Sequence, residues 1–238
     1  MSDSLEHTIA DQIDQVKAQI AQATAQAGRA PGSVQLLAVS KTFPAQAVRA
    51  AAATGQTAFG ENYVQEAVEK IQTLADLPQL EWHCIGPLQS RKTGLVAQHF
   101  AWLHSLDRLD IAQRLSRQRP EQLPPLQVCL QVNMDGGANK SGLAPADVLA
   151  FAQQVVQLPQ LQLRGLMSIP EPYSNPADTL AVHQQTKALF DSVGAQLQLP
   201  HWDTLSMGMS GDMDLAIAAG STMVRVGTAI FGHRPAKT

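Results

Sequence analysis

Towards the C-terminal end of the chain, Leu205-Ser206-Met207-Gly208-Met209-Ser210-Gly211 and Met223-Val224-Arg225-Val226-Gly227-Thr228-Ala229-Ile230-Phe231-Gly232 both pass from strand-like residues into Gly, Ser and Thr. Loops of that composition at strand ends offer backbone amides and hydroxyls, the donors that cup a single phosphate. Ordinary turn and cap chemistry draws on the same residues. Far upstream, Leu36-Leu37-Ala38-Val39-Ser40-Lys41-Thr42 ends an apolar strand in a lysine. A strand-end amine and a phosphate cup together suggest a phosphorylated aldehyde held as a Schiff base.

On an ideal strand Leu37, Val39 and Lys41 share a face. If that face lines a walled interior, partial desolvation lowers the amine's pKa and makes it a nucleophile; a lysine snorkelling out of a strand end has the same sequence. Arg225 lies within an apolar strand on the face of Met223 and Gly227. A buried guanidinium keeps its charge and needs a carboxylate, a phosphate or a ring nitrogen as acceptor. Gly227 and Thr228 would supply turn amides, while Ser206 and Ser210 add hydroxyls and Ser210 is placed to cap the next helix. Asp212 and Asp214 already satisfy the positive end of that helix, which shifts the weight to the Gly227-Thr228 turn. His83, between Trp82 and Cys84, reads as a hydrogen-bonded strand histidine or a base. Asn62 and Tyr63 could touch a ligand ring or begin a helix, Met167-Ser168 could pack a planar ring or belong to the core, and Gly136 to Gly142 is expected to be a mobile mouth loop.

The elements that must position these residues alternate. An opening helix of about seven turns carries the stripe Ile9, Ile13, Val16, Ile20. Strands are expected at Val34 to Ser40, Thr57 to Gly60, Trp82 to Gly86, Ala101 to Leu106, Leu126 to Asn133, Leu161 to Ile169, Trp202 to Met207 and Thr222 to Val226. Helices fall between them, including Ala45 to Ala53, Arg108 to Gln118, Pro145 to Gln157, Pro176 to Val193 and Ser210 to Ala219. Eight nearly continuous apolar strands separated by helices point to a closed (β/α)8 barrel, with an open doubly wound sheet as the alternative. A barrel gathers every loop that follows a strand at one mouth, so that Lys41, Asn62, Ser206, Arg225, Gly227 and Thr228 could face one centre.

The 238 residues, 45% hydrophobic and 16% charged, suit one large domain spanning 1–238. Seventeen basic residues against twenty acidic ones, with no basic run, argue against nucleic acid. No segment reads as a secretion signal or a membrane span, which makes the expected location cytoplasmic, and no long apolar edge stands out, which favours a monomer. Cys84 and Cys129 lie in apolar strands and read as buried thiols, and no spacing suits a metal.

Ala38 to Thr42, Phe59-Gly60-Glu61-Asn62-Tyr63-Val64-Gln65-Glu66, Trp82-His83 with Ile85 to Ser90, Leu163 to Met167, and Leu205 to Ser210 with Met223 to Gly232 follow one another over nearly the whole chain. Together they resemble the YggS/PROSC family of pyridoxal phosphate homeostasis proteins, itself similar to the N-terminal barrel of alanine racemase. The resemblance implies pyridoxal 5'-phosphate as an internal aldimine on Lys41, with Arg225 facing the pyridine nitrogen. It further implies Ser206, Ser210, Gly227 and Thr228 on the phosphate, and Asn62, His83 and Met167 around the ring. Phe43, Arg91 and Cys84 depart from the family pattern outside this set.

The implied role is to carry or buffer the cofactor, passing it to apo enzymes that need it, without turnover of its own. A racemase-like enzyme of low activity is the alternative. An arginine opposite the pyridine nitrogen makes the ring a poor electron sink, and only ten residues follow Thr228, which leaves no second domain to supply an opposite-face base. A cofactor-free Schiff-base aldolase on a barrel is a third reading.

Overall fold

The strands close into a parallel barrel in the order β1 to β8, with β8 returning to β1, in a computed structural model that describes residues 2–136 and 141–232. The strands are β1 (Gln35–Val39), β2 (Ala58–Glu61), β3 (Glu81–Cys84), β4 (Trp102–Leu106), β5 (Leu126–Val132), β6 (Leu161–Ser168), β7 (Thr204–Met209) and β8 (Met223–Val226). The helices are α1 (Ser2–Gln26), α2 (Ala45–Ala52), α3 (Val64–Thr73), α4 (Thr93–His99), α5 (Leu109–Gln118), α6 (Val148–Val155), α7 (Pro176–Leu197), α8 (Met213–Ala219) and α9 (Thr228–Phe231). The open sheet is thereby excluded.

Strand residues alternate between two environments. Leu36 and Ala38 join Ile13, Val48 and Ile217 in the main core between the barrel wall and the helices. Leu37, Ala58 and Met223 pack inside the barrel, and Trp102, Cys129 and Met167 form a second small interior cluster. The apolar stripe of α1 is buried, and that helix packs against α2, α8 and α9. Leu163 and Met167, four residues apart, would share a face on a regular strand. A bulge in the β5 to β6 pairing at Gly165 (φ +152°) puts Leu163 in the outer core and Met167 inside.

Three helix expectations change. Ser210 does not cap α8, which begins at Met213; Asp212 holds the N-cap position and its Oδ1 accepts from the Met209 amide at 2.7 Å, keeping 210–212 in a turn. Pro145 opens a short 3-10 turn, and α6 begins only at Val148. α7 runs on past Val193 to Leu197, closed by Gln198 in the left-handed region. Residues 137–140 of the expected mouth loop lie outside the described residues.

Candidate functional site

Lys41 leaves β1 in a tightly held turn. The buried Ser40 before it donates its hydroxyl to Glu61 Oε1 at 2.6 Å, and Lys70 Nζ of α3 donates to the Ser40 carbonyl at 2.8 Å. The same ammonium lies 2.7 Å from Glu61 Oε1 and 2.8 Å from Glu66 Oε1. Glu66 Oε1 also accepts from the Thr42 amide at 2.6 Å. Thr42 has φ +70°, a costly conformation for a β-branched residue, and these bonds hold it there. Ser40, Glu61, Glu66 and Lys70 were not among the sequence candidates. Their signals were an acid inside an apolar strand and the Glu66, Lys70 spacing of four along a helix.

At the opposite wall, Arg225 points into the barrel and is almost fully buried. Its Nη1 donates to the Ser206 carbonyl at 2.7 Å and to Ser206 Oγ at 2.9 Å, and its Nη2 donates to the Ser168 carbonyl at 2.8 Å. The acceptors seen are thus two carbonyls and a hydroxyl of the wall. Burial lowers its pKa to about 10, opposed by the charge of Asp212, so the guanidinium is cationic at neutral pH. Asp212 itself accepts from His183 Nε2 at 2.9 Å. Burial pushes its carboxyl up, but the bonds from His183 and the Met209 amide outweigh this and hold it low.

Gly227 ends β8 against the end of β1. A Cβ there would lie 3.0 Å from the Val39 carbonyl, so a glycine lets the Gly227-Thr228 turn sit beside the segment that leads to Lys41. Thr228 is exposed and opens α9, whose first amides have no partner within the helix. Asn62 follows β2 and packs its backbone against Gly86, where a Cβ would run into the Asn62 carbonyl. Asn62 Oδ1, Ser168 Oγ and Thr42 Oγ1, at the ends of β2, β6 and β1, are buried without a hydrogen-bond partner. Orphaned buried polar atoms are costly, and three at one end of a barrel fit a polar ligand that would engage them.

Of the other sequence candidates, three are fully buried and one is exposed. Ser206 has no exposed surface, and its hydroxyl is shared between Arg225 and His104 Nδ1, the latter at 3.0 Å. Ser210 is exposed and borders a depression with Gln19, Gln22 and Gln26 of α1. Met167 packs between Trp102 and Cys129, fully buried. His83 is also fully buried, with Nδ1 2.9 Å from His104 Nε2 and Nε2 3.0 Å from Glu81 Oε1. Phe43 packs against Phe231 of α9, with ring centroids 5.3 Å apart and the planes tilted by 32°. Among the described residues, no group of His, Cys, Asp and Glu could hold a metal, and no helix is long and apolar enough to cross a membrane.

Residues 12–235 match the family Alanine racemase, N-terminal domain. The chain is 57% identical over 227 residues to the pyridoxal phosphate homeostasis protein of Pseudomonas aeruginosa, covering 95% of this chain and 96% of that one. PipY of Synechococcus elongatus, solved with PLP bound, is 42% identical with a TM-score of 0.83, covering 94% of this chain and all (100%) of that chain. An alanine racemase from Corynebacterium glutamicum shares the fold, at 18% identity and a TM-score of 0.65, over 96% of this chain and 60% of that one. With an end-to-end match at this identity and the same barrel, the chain belongs to the pyridoxal phosphate homeostasis protein family.

Proposed function

We propose that this protein binds pyridoxal 5'-phosphate at the barrel mouth, linked through Lys41, and acts as a monomeric carrier that yields the cofactor to apo enzymes. The observation that carries the reading is the buried cationic Arg225 beside the unpartnered Ser168 hydroxyl, in a barrel whose first strand leads into Lys41. The PLP-bound PipY relative supports it. When bound, the cofactor supplies an aldehyde that condenses with amines and a ring that withdraws electrons.

The protein's own residues divide the work. The bonded turn around Ser40 and Thr42 fixes where the Lys41 backbone leaves the wall. Arg225 presents a donor-only group and gives up no proton at neutral pH, which favours an unprotonated ring nitrogen and weak electron withdrawal, as suits a carrier. Gly227 and Thr228 hold the phosphate through amides and a hydroxyl. Asn62 and Ser168 engage the ring substituents with polar atoms that are otherwise orphaned. Ser206 holds Arg225 in place, and Ser210, exposed in the turn that follows β7, is a further hydroxyl donor to the phosphate.

Borohydride reduction followed by mass spectrometry of the native protein and Lys41→Ala tests this. A pyridoxyl-phosphate adduct on Lys41, absent from the variant, is expected. No adduct after adding the cofactor would overturn the reading. Lys41-dependent loss of optical rotation from an L-amino acid would convert the carrier into a racemase-like enzyme.

A further inference from the structure

Barrel interiors are usually filled by branched apolar side chains, yet one path through this one is polar. From the floor upward, Glu81 Oε1 lies 3.0 Å from His83 Nε2, His83 Nδ1 lies 2.9 Å from His104 Nε2, and His104 Nδ1 lies 3.0 Å from Ser206 Oγ. Ser206 Oγ in turn accepts from Arg225 Nη1 at 2.9 Å. Four elements, β3, β4, β7 and β8, thus contribute to one continuous row. We propose that Glu81, His83 and His104 are positioning residues for the cofactor site, forming with Ser206 a one-way hydrogen-bonded chain that fixes Arg225 and compensates its charge from the barrel floor.

The direction follows from the two ends. A guanidinium can only donate and an ionised carboxylate can only accept. Arg225 therefore donates to Ser206, the Ser206 hydroxyl donates to His104 Nδ1, His104 Nε2–H donates to His83 Nδ1, and His83 Nε2–H donates to Glu81. With both rings neutral, each must carry its proton on Nε2. A charged His83 would instead need His104 protonated on Nδ1 and donating to Ser206, which breaks the one-way order. Burial lowers the pKa of both rings, His104 the more strongly, which agrees with this. Trp102 stacks on His83 at 5.1 Å and 8° between planes, fixing the ring.

Glu81 is the wet end. Its side chain is 44% exposed and opens on a floor cavity of about 400 Å³ shared with Arg164 and Gln127. The bond from His83 holds its carboxyl below the ordinary range, opposed by burial and helped by the Arg164 charge. The counter-charge linked to Arg225 by hydrogen bonds is thereby kept at the far end of the barrel, and bonds along such a chain polarise one another.

The proposal rests on the reading of Arg225 as a cofactor residue only in its second test. The first uses cofactor-free protein labelled with 15N at histidine, the His83 signals being assigned through contacts with the Trp102 ring. Both rings are expected as neutral Nε2–H tautomers at neutral pH; an Nδ1–H or charged form of either overturns the chain. In the second, Glu81→Gln keeps an acceptor but removes the charge. It is expected to weaken retention of pyridoxal phosphate about five-fold and to shift the visible band of the bound cofactor. Ser206→Ala cuts the row while sparing the carbonyls on Arg225, and in that background Glu81→Gln should change neither quantity. An equal effect of Glu81→Gln with and without Ser206, or none in either, overturns the proposal. If native protein takes up no pyridoxal phosphate, the functional reading fails while the tautomers still decide the chain.

Discussion

Lys70 Nζ of α3 donates to the carbonyl of Ser40 at 2.8 Å, so a charge on a neighbouring helix pins the peptide that leads into Lys41. The same ammonium neutralises Glu61, which is almost fully buried, and Glu61 accepts from the Ser40 hydroxyl. One buried ion pair thus grips both polar groups of the residue before the proposed anchoring lysine. Precise placement of a reactive group depends on such supporting bonds more than on the group itself.

Replacing Lys70 by Met should therefore cost both stability and cofactor. Removing one partner of a buried pair leaves an uncompensated charge, a loss of about 3–5 kcal/mol. The expected result is a lower urea midpoint and faster release of pyridoxal phosphate, with part of the stability regained in Lys70→Met/Glu61→Gln. Unaltered release from Lys70→Met would show that the turn at Ser40 needs no support from α3.

Gly86 is a second point where packing decides the site. A Cβ there meets the backbone of Asn62, which cannot swing away like a side chain. Gly86→Ala is expected to shift the segment after β2 and to lower stability by about 1–3 kcal/mol, as overpacking does. Gly227→Ala should act differently. Its Cβ would meet the Val39 carbonyl at 3.0 Å and its φ of −118° suits alanine, so cofactor retention should fall with little change in stability. Chemical denaturation and dialysis of the loaded variants would separate the two.

The barrel was legible because each strand is a short apolar run followed by helical periodicity, as in Leu126 to Val132 before α6. Lys41, Arg225 and Gly227 stood out as candidates because a charge or a glycine at the end of an apolar strand needs a reason. The placement of Ser206, His83 and Met167 was not legible. Whether a strand residue reaches the mouth or remains in the interior depends on barrel register, and for Met167 on the bulge at Gly165. His104 sits among Trp102, Leu103 and Leu106 with nothing local to mark its partners, since His83 and Ser206 are distant in sequence and meet it only when the barrel closes. Lys70 likewise meets Ser40 and Glu61 only in the folded chain.

Arg225→Lys tests whether the fork of the guanidinium matters or only its charge. Arginine spans the Ser206 carbonyl, the Ser206 hydroxyl and the Ser168 carbonyl with two nitrogens, a geometry an ammonium cannot reproduce. Lysine should keep the charge yet lose at least one of these bonds. Retention is expected to drop at least about ten-fold, since a hydrogen bond from a charged group contributes about 1.5–3 kcal/mol. Arg225→Ala should fall further, and further than His83→Ala, which leaves the carbonyl partners of Arg225 in place. Fluorescence titration of the three variants would rank them, and equal affinities would remove the role assigned to Arg225.

The two cysteines should be inert while the protein is folded. Burial pushes both thiols up to about 12, and neither is bridged. Thiolate, the reactive form, is then scarce and shielded. Iodoacetamide should modify neither Cys84 nor Cys129 in native protein and both in urea, as read by intact mass. Rapid native labelling would mean that the barrel wall opens at β3 or β5.

Stability should fall as the solution is acidified from pH 7.5 to 5.5, through His83 and His104. Burial depresses both rings below their unfolded value of about 6.5, so the folded protein keeps them neutral while the unfolded chain takes up protons. Where the unfolded state binds more protons, stability rises with pH. The contribution is thus fully present above about 6.5 and is lost as pH falls below it, by about 1.4 kcal/mol per pH unit for each ring. Glu61 and Asp107, whose carboxyls burial raises, contribute with the opposite sign. Urea denaturation at half-unit intervals should show the slope, and His104→Gln, which removes one titrating ring, should roughly halve it. A flat profile between pH 7.5 and 5.5 would mean that the interior accepts a proton without unfolding, and neutral rings at His83 and His104 would then be untenable.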